Sequence, residues 1–278
     1  MKRRGRNREN AGIKRGKCFQ ELLTVSLDDK CCLIDGGVMY LFSPLDQHYD
    51  KGFGAVADSF YDAAITLKEQ YHRSRSNGHL PICYLFRHSI ELFLKGSIII
   101  VHQGLNIPYG DKLCTSEPTL PGLDKKGNIE QKKIYNIHDV NVLYKYLSGL
   151  LDEKKAELDN IYCVWRFSDD FAQKVEQLEK MDSSSAYFRY PKDKKTFTYE
   201  KDKSAFKETT VEDVMAMAIK SGEPMKSMKT VSLLGKDIKI FVHDDSFTDK
   251  AMNLLAEIAD EVSSCHFALM SKISGGYI

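Results

Sequence analysis

Four ionisable side chains stand in the stretch PICYLFRHSIELFLKGSIII, residues 81–100, which is otherwise apolar enough to be buried on nearly every side. They are Arg87, His88, Glu91 and Lys95. On a helix Arg87 reaches Glu91, and Glu91 reaches Lys95, because residues four apart are neighbours; a carboxylate then stands between two cations. Tyr84, His88, Glu91, Lys95 and His102 fall close to one line, while Ile82, Phe86, Ile90, Phe93 and Ile100 occupy other faces. Two kinds of chemistry suit such a gathered stripe. In one, Glu91 pairs with Arg87 and Lys95 and the ladder sets helix register, since buried charge is costly unless paired. In the other, Arg87, His88 and Lys95 present cationic or donor groups to a phosphate at the mouth of a helical bundle, with Glu91 orienting them.

The elements that must position this stripe are read from periodicity. From Phe53, the residues Val56, Ala57, Phe60, Ala63, Ala64, Leu67 and Tyr71 recur at helical steps. HRSRSNGH makes the connecting loop, and Pro81 opens the second helix where it loses no hydrogen bond. A polar, turn-rich stretch over 105–136 reads as an insertion. A third helix is predicted to begin near His138, with Val140, Leu143, Leu147 and Leu150 on one stripe. A fourth is predicted over 160–181, with Val164, Phe167, Phe171, Val175 and Leu178 facing inward. SSSAYFRYPKDKKTFTYEKDKS reads as a long ordered loop, VEDVMAMAI as a short helix, and KTVSLLGKDIKIFV as a hairpin around Gly235 and Lys236. A last helix over 247–273 carries Ala251, Leu254, Leu255, Ile258, Val262, Leu269 and Ile273 in register.

The expected fold class is therefore mainly α: an up-and-down four-helix bundle with a loop insertion, a small β-hairpin and a long C-terminal helix. Residues 1–38 read as a basic disordered arm or as a start placed too early, since the first seventeen residues hold eight Lys or Arg and little that packs. Such an arm would touch phosphates by counterion release. The bundle is expected over 39–192 and a C-terminal extension that packs on it over 193–278.

Lys and Arg number 40 against 39 Asp and Glu in 278 residues, so global charge gives no sign of a uniformly basic nucleic-acid binder. The seven cysteines are odd in number and lack CxxC spacing. Cys83, Cys163 and Cys265 fall in apolar helical patterns, which suits reduced thiols and a cytoplasmic setting. The apolar run 98–101 is too short to span a bilayer, and no signal-peptide pattern follows the basic start. No nucleotide-loop, dinucleotide, zincin or nucleophile-elbow motif is present, so no cofactor or metal is expected. Asp169 with Asp170, and Asp244 with Asp245, lack partners at metal-ligand spacing.

Three motifs in order, YLFRHSIELFLKGSIII, IHDVNVLYKYL and AYFRYPKD, resemble the HEPN superfamily of nucleotide-associated helical bundles. The matching positions are Glu91, Leu92, Leu94 and Lys95 of an ELxLK core, His138 with Val140 in place of leucine in an HxL-like start, and Arg189, Tyr190 and Pro191 of an RYP tripeptide. The resemblance covers 53–192. It implies a HEPN-like bundle that binds a nucleotide or RNA, a homodimer, and a partner protein from a defence, stress or toxin–antitoxin module. The implied binding residues are Arg87, His88, Glu91, Lys95, His138 and Arg189. Many members of the superfamily are metal-independent ribonucleases, in which His moves a proton and Arg holds the phosphate. Their active site is an Arg followed after four to six residues by His. Here Arg87 and His88 are adjacent and diverge by about 100° on a helix. Arg73 and His79 have the family spacing but lie at the HRSRSNGH loop, so the catalytic alternatives are Arg87 with His88 across a dimer, or Arg73 with His79.

His138 also suits a local cap at a helix start. Arg189, among Tyr187, Phe188 and Tyr190, suits stacking on a base, or else the two aromatics Phe188 and Tyr190 anchor the loop on the bundle. A third possibility is a non-catalytic interaction domain in which the ladder only holds the helices together.

Overall fold

In a computed structural model the described residues are 44–71, 78–123, 129–161, 166–182, 188, 206–221, 227–231, 238–243 and 246–274. The fold is mainly helical, as the periodicity implies. Among the described residues seven α-helices follow in order: α1 Phe53–Glu69, α2 His79–Gly104, α3 Val140–Glu153, α4 Lys155–Asp159, α5 Phe171–Asp182, α6 Val211–Ser221 and α7 Ser246–Ile273.

α2 is the axis of the structure. A helix that is apolar all round belongs in a core, and Ile82, Cys83, Phe86, Ile90, Phe93, Leu94 and residues 98–101 are all at most 1% exposed. α1, α3 and α7 pack around α2, and α5 packs on α3 and α7. α7 belongs to the same core through Leu255, Ile258, Ala259, Val262 and Leu269. Pro81 sits in the first turn of α2, two residues after its start, where it removes no helical hydrogen bond.

Two small sheets are found among the described residues. Strands β1 Thr119–Leu123 and β2 Ile129–Lys133 form an antiparallel hairpin, with Thr119 opposite Lys133. This hairpin lies inside the 105–136 insertion, which the sequence reading left as turns. β3 Phe206–Thr209, β4 Ser227–Val231 and β5 Ile238–His243 form an antiparallel sheet in the order β3-β5-β4. The expected hairpin is β4 with β5, and β3, which lies between the expected loop and the short helix, is an addition to it.

One helix boundary differs from expectation. The fourth long helix begins at Phe171 and not near residue 160, because Ser168 and Asp170 stop it there. Asp170 accepts from Lys174 N at 3.1 Å through its carbonyl, while Ser168 Oγ donates to Asp170 Oδ1 at 2.7 Å. Glu261 of α7 accepts from both Ser168 N and Ser168 Oγ, fixing the turn to the bundle. Phe167 still faces the core, stacked on Phe171 with centroids 4.4 Å apart; Val164 lies outside the described residues. α3 begins at Val140 and its cap is Asp139, whose carboxylate accepts from Val142 N at 3.0 Å. His138 is therefore not the cap and its ring is used elsewhere.

Cys83 and Cys265 are buried thiols, and burial pushes both up to about 12. Among the described residues, no helix is long and apolar enough to cross a membrane.

Candidate functional site: a buried carboxylate hub

Glu91, 1% exposed on α2, is the centre of the charged stripe. Its Oε1 accepts from Lys95 Nζ at 2.9 Å, one helical turn on, and lies 3.0 Å from His138 Nδ1. Arg87 Nη1 stands 3.6 Å from Oε2. The i,i+4 ladder read from the sequence is thus present, and it extends off the helix. Arg87 Nη2 donates to the carbonyl of His138 at 2.8 Å, and Arg87 Nε lies 4.0 Å from Asp182 at the end of α5. Lys95 Nζ donates to the Tyr135 carbonyl at 3.5 Å and sits 6.0 Å from the Phe53 ring centre. The stripe therefore fastens α2 to the turn before α3 and to the C-terminal end of α5.

Burial alone would raise the Glu91 pKa, but Lys95, His138 and Arg87 together hold it below its ordinary value, so the carboxylate stays ionised. An ionised Glu91 is an acceptor only, so His138 Nδ1 carries the proton it shares with Oε1. This fixes the ring orientation and puts the Nε2 edge on the far side from the carboxylate. The His138 side chain is 55% exposed, whereas those of Arg87, Lys95 and Glu91 are 4%, 2% and 1% exposed. Of this group, only the imidazole meets solvent to any extent.

The remaining expected site residues are placed as follows. His88, adjacent to Arg87, turns to another face of α2, stacking on Tyr84 at 5.8 Å and meeting Phe60 of α1 edge-on at 4.7 Å. Arg87 and His88 do not converge within one chain. His79 is the first residue of α2, about 12 Å along the axis from Arg87 at 1.5 Å per residue. Arg73 and Arg189 lie outside the described residues. Phe188, next to Arg189, is 6% exposed and part of the core, as the anchoring reading expects.

Sequence reasoning missed a second buried polar group. His266 of α7 is wholly buried, with Nε2 3.5 Å from Asp50 Oδ2 and Nδ1 3.4 Å from Ser97 Oγ. Asp50 also accepts from the backbone N–H of Gly52 and Gly54, at 2.9 and 2.5 Å. The order Asp, His, Ser is reminiscent of a nucleophile relay, but Ser97 is 0% exposed, so no substrate reaches it. The cluster holds the turn before α1 against α2 and α7. The available signal was glycine inside helices: a Cβ on Gly54 would lie 2.2 Å from His266 Nε2, and one on Gly96 2.9 Å from its Cε1.

His102, on the stripe line but 1% exposed, closes the C-terminal end of α2. Its Nδ1 lies 3.0 Å from the Ile107 carbonyl and its Nε2 2.9 Å from Tyr146 Oη, and the ring stacks on Tyr109 at 4.1 Å. Burial lowers its pKa. The neutral ring therefore donates from Nδ1 to the carbonyl and accepts at Nε2 from the phenol.

At the other end of α3, Tyr144, Ser148, Asp152, Arg166, Phe167 and Asp169 line an open groove of about 290 Å³. Among the described residues, no group of three or more His, Cys, Asp or Glu is placed to hold a metal ion.

Compared with known proteins, the chain matched no family model, no curated protein and no solved structure.

Proposed function

We propose that the chain is a HEPN-like helical-bundle protein that binds a nucleotide or RNA where α2 meets the start of α3, with His138 as the exposed ligand contact. The observation that carries this reading is the 3.0 Å contact between His138 and Glu91, residues from two separate sequence motifs. A carboxylate that fixes Nδ1 leaves an imidazole in one orientation, which is what a selective hydrogen bond to a ligand needs. Homodimer formation, a cytoplasmic setting and a place in a defence or stress module belong to the same proposal. So does a ribonuclease activity, in which Arg87 of one copy would meet His88 of another, or Arg73 would act with His79.

The burial of Arg87 and Lys95 favours a second reading, a non-catalytic interaction domain in which the ladder holds the helices together. Binding of fluorescently labelled total tRNA to the full chain separates the two, with His138→Gln beside the wild type. Loss of at least about tenfold in affinity, with an unchanged thermal melt, is expected for the binding reading. No binding by the folded wild type would leave only the structural one. The same samples, incubated without metal beside Arg87→Ala/His88→Ala and Arg73→Ala/His79→Ala variants, test cleavage.

A further inference from the structure

We propose that the His138 site recognises the nucleobase, a planar nitrogen heterocycle, and takes little of its binding from phosphate. This rests on the nucleotide- or RNA-binding reading above and narrows it to the part of the ligand that is read.

Phosphate recognition by side chains needs cations that can turn their charge to the ligand, and at the N-terminus of α3 the Asp139 carboxylate already takes the Val142 N–H. The two cations of the stripe are already turned elsewhere. Lys95 Nζ is bonded to Glu91 at 2.9 Å, and Arg87 is held by the His138 carbonyl at 2.8 Å and faces the carboxylates of Glu91 and Asp182. Two cations thus meet two carboxylates, and all four side chains are at most 4% exposed. Freeing either cation would strand a buried carboxylate, which is strongly unfavourable. The rim does not reverse the balance. Glu179 lies within electrostatic range of Asp139, Asp182, Arg87 and Lys145, so among the described residues this part of the rim contributes one further cation and two further carboxylates.

What this corner does present is flat and partly apolar. Tyr135 is 46% exposed and Val142 43% exposed. The Tyr135 ring rests against Phe53 with centroids 5.3 Å apart, and its carbonyl is tied to the same Lys95 that shares Glu91 Oε1 with His138. A phenol ring supported from behind suits stacking on a base, an interaction worth about 1–3 kcal/mol. The oriented imidazole supplies an acceptor at Nε2 that a ring N–H or exocyclic amine of a base can answer.

The test uses the full chain and small probes: adenosine, guanosine, cytidine, uridine and their 5′-monophosphates, titrated calorimetrically. At least one nucleoside is expected to bind, with its monophosphate within about threefold in affinity. His138→Gln and Tyr135→Ala are each expected to weaken that binding by about tenfold or more. Gln at 138 keeps a donor for Glu91 and Tyr135 is about half exposed, so the thermal melt of each variant should stay close to that of the wild type. A monophosphate that binds more than about tenfold tighter than its nucleoside overturns the inference and leaves the nucleotide-binding reading standing. Binding of total tRNA without any of the eight small probes, and unaffected by His138→Gln, also overturns it. If neither the probes nor tRNA bind to folded protein, the reading itself fails and the inference with it.

Discussion

Glu91 and His138 are 47 residues apart in the chain and 3.0 Å apart in the fold, and the oxygen that joins them also accepts from Lys95. One buried carboxylate oxygen therefore ties the central helix to the turn that starts α3. Glu91→Gln keeps the shape and removes the charge, leaving Arg87 and Lys95 buried beside a neutral amide. Breaking a buried pair in this way costs about 3–5 kcal/mol. Urea unfolding should show that loss as a lower midpoint with an unchanged slope; a loss below about 1 kcal/mol, the range of exposed pairs, would mean the hub is dispensable.

Acid should act on the same residue. The folded-state pKa of Glu91 is lowered, since the surrounding cations outweigh burial. Its stabilisation is then fully present above the ordinary value of 4.5 and is lost as pH falls through the lowered folded value. Unfolding midpoints measured from pH 6 downward should decline in the wild type more steeply than in Glu91→Gln below about pH 4.5.

His266 and His102 set a second acid window. Burial lowers both pKa values; Asp50 and the Phe93 backbone oppose this at His266, and the Ile107 carbonyl opposes it at His102. Below the ordinary value of 6.5 the unfolded chain takes up protons that the folded rings resist, so stability falls as pH drops from there. A His266→Gln/His102→Gln double variant should be less stable at neutral pH and should lose most of the slope between about pH 6.5 and 5. An unchanged slope would mean that the two rings take up protons in the fold as readily as in the unfolded chain.

The glycine socket of His266 predicts a size exchange. Gly54→Ala places a methyl group 2.2 Å from His266 Nε2 if nothing moves, and overpacking of this kind costs about 1–3 kcal/mol or more. Adding His266→Ala removes the clash with the ring and leaves the closer approach to Asp50 Oδ2, at 2.5 Å, to be relieved by the space the ring vacates. The double variant is expected to be more stable than the sum of the two single losses by about 1 kcal/mol or more, measured by urea unfolding; strict additivity would show that Gly54 serves another purpose.

Much of this was legible in the sequence, and the limits have physical causes. The period of α2 and its four-residue charge steps fixed the Arg87, Glu91 and Lys95 ladder, because helix geometry alone sets those distances. Asp182 and the carbonyl of His138, which also hold Arg87, come from other elements, and no local spacing encodes them. Asp50 and His266 were missed for the same reason. The sequence places the start of the fourth helix too early because Phe167 keeps the apolar period although it lies in the irregular segment before the helix; the run Ser168, Asp169, Asp170 is the capping signal that ends the pattern. The β1–β2 hairpin was hidden by Pro121 and Gly122, residues that argue against a strand unless it lies at an edge.

The most direct measurement is the long-range ¹H–¹⁵N spectrum of the histidine side chains in the full chain at neutral pH, before and after addition of total tRNA. His138 is expected in the Nδ1–H form, and its Nε2 resonance should shift on titration while the buried His102 and His266 stay in place. An Nε2–H form, or a His138 resonance unmoved while tRNA binds, would contradict the assignment of His138 as a ligand contact held by Glu91.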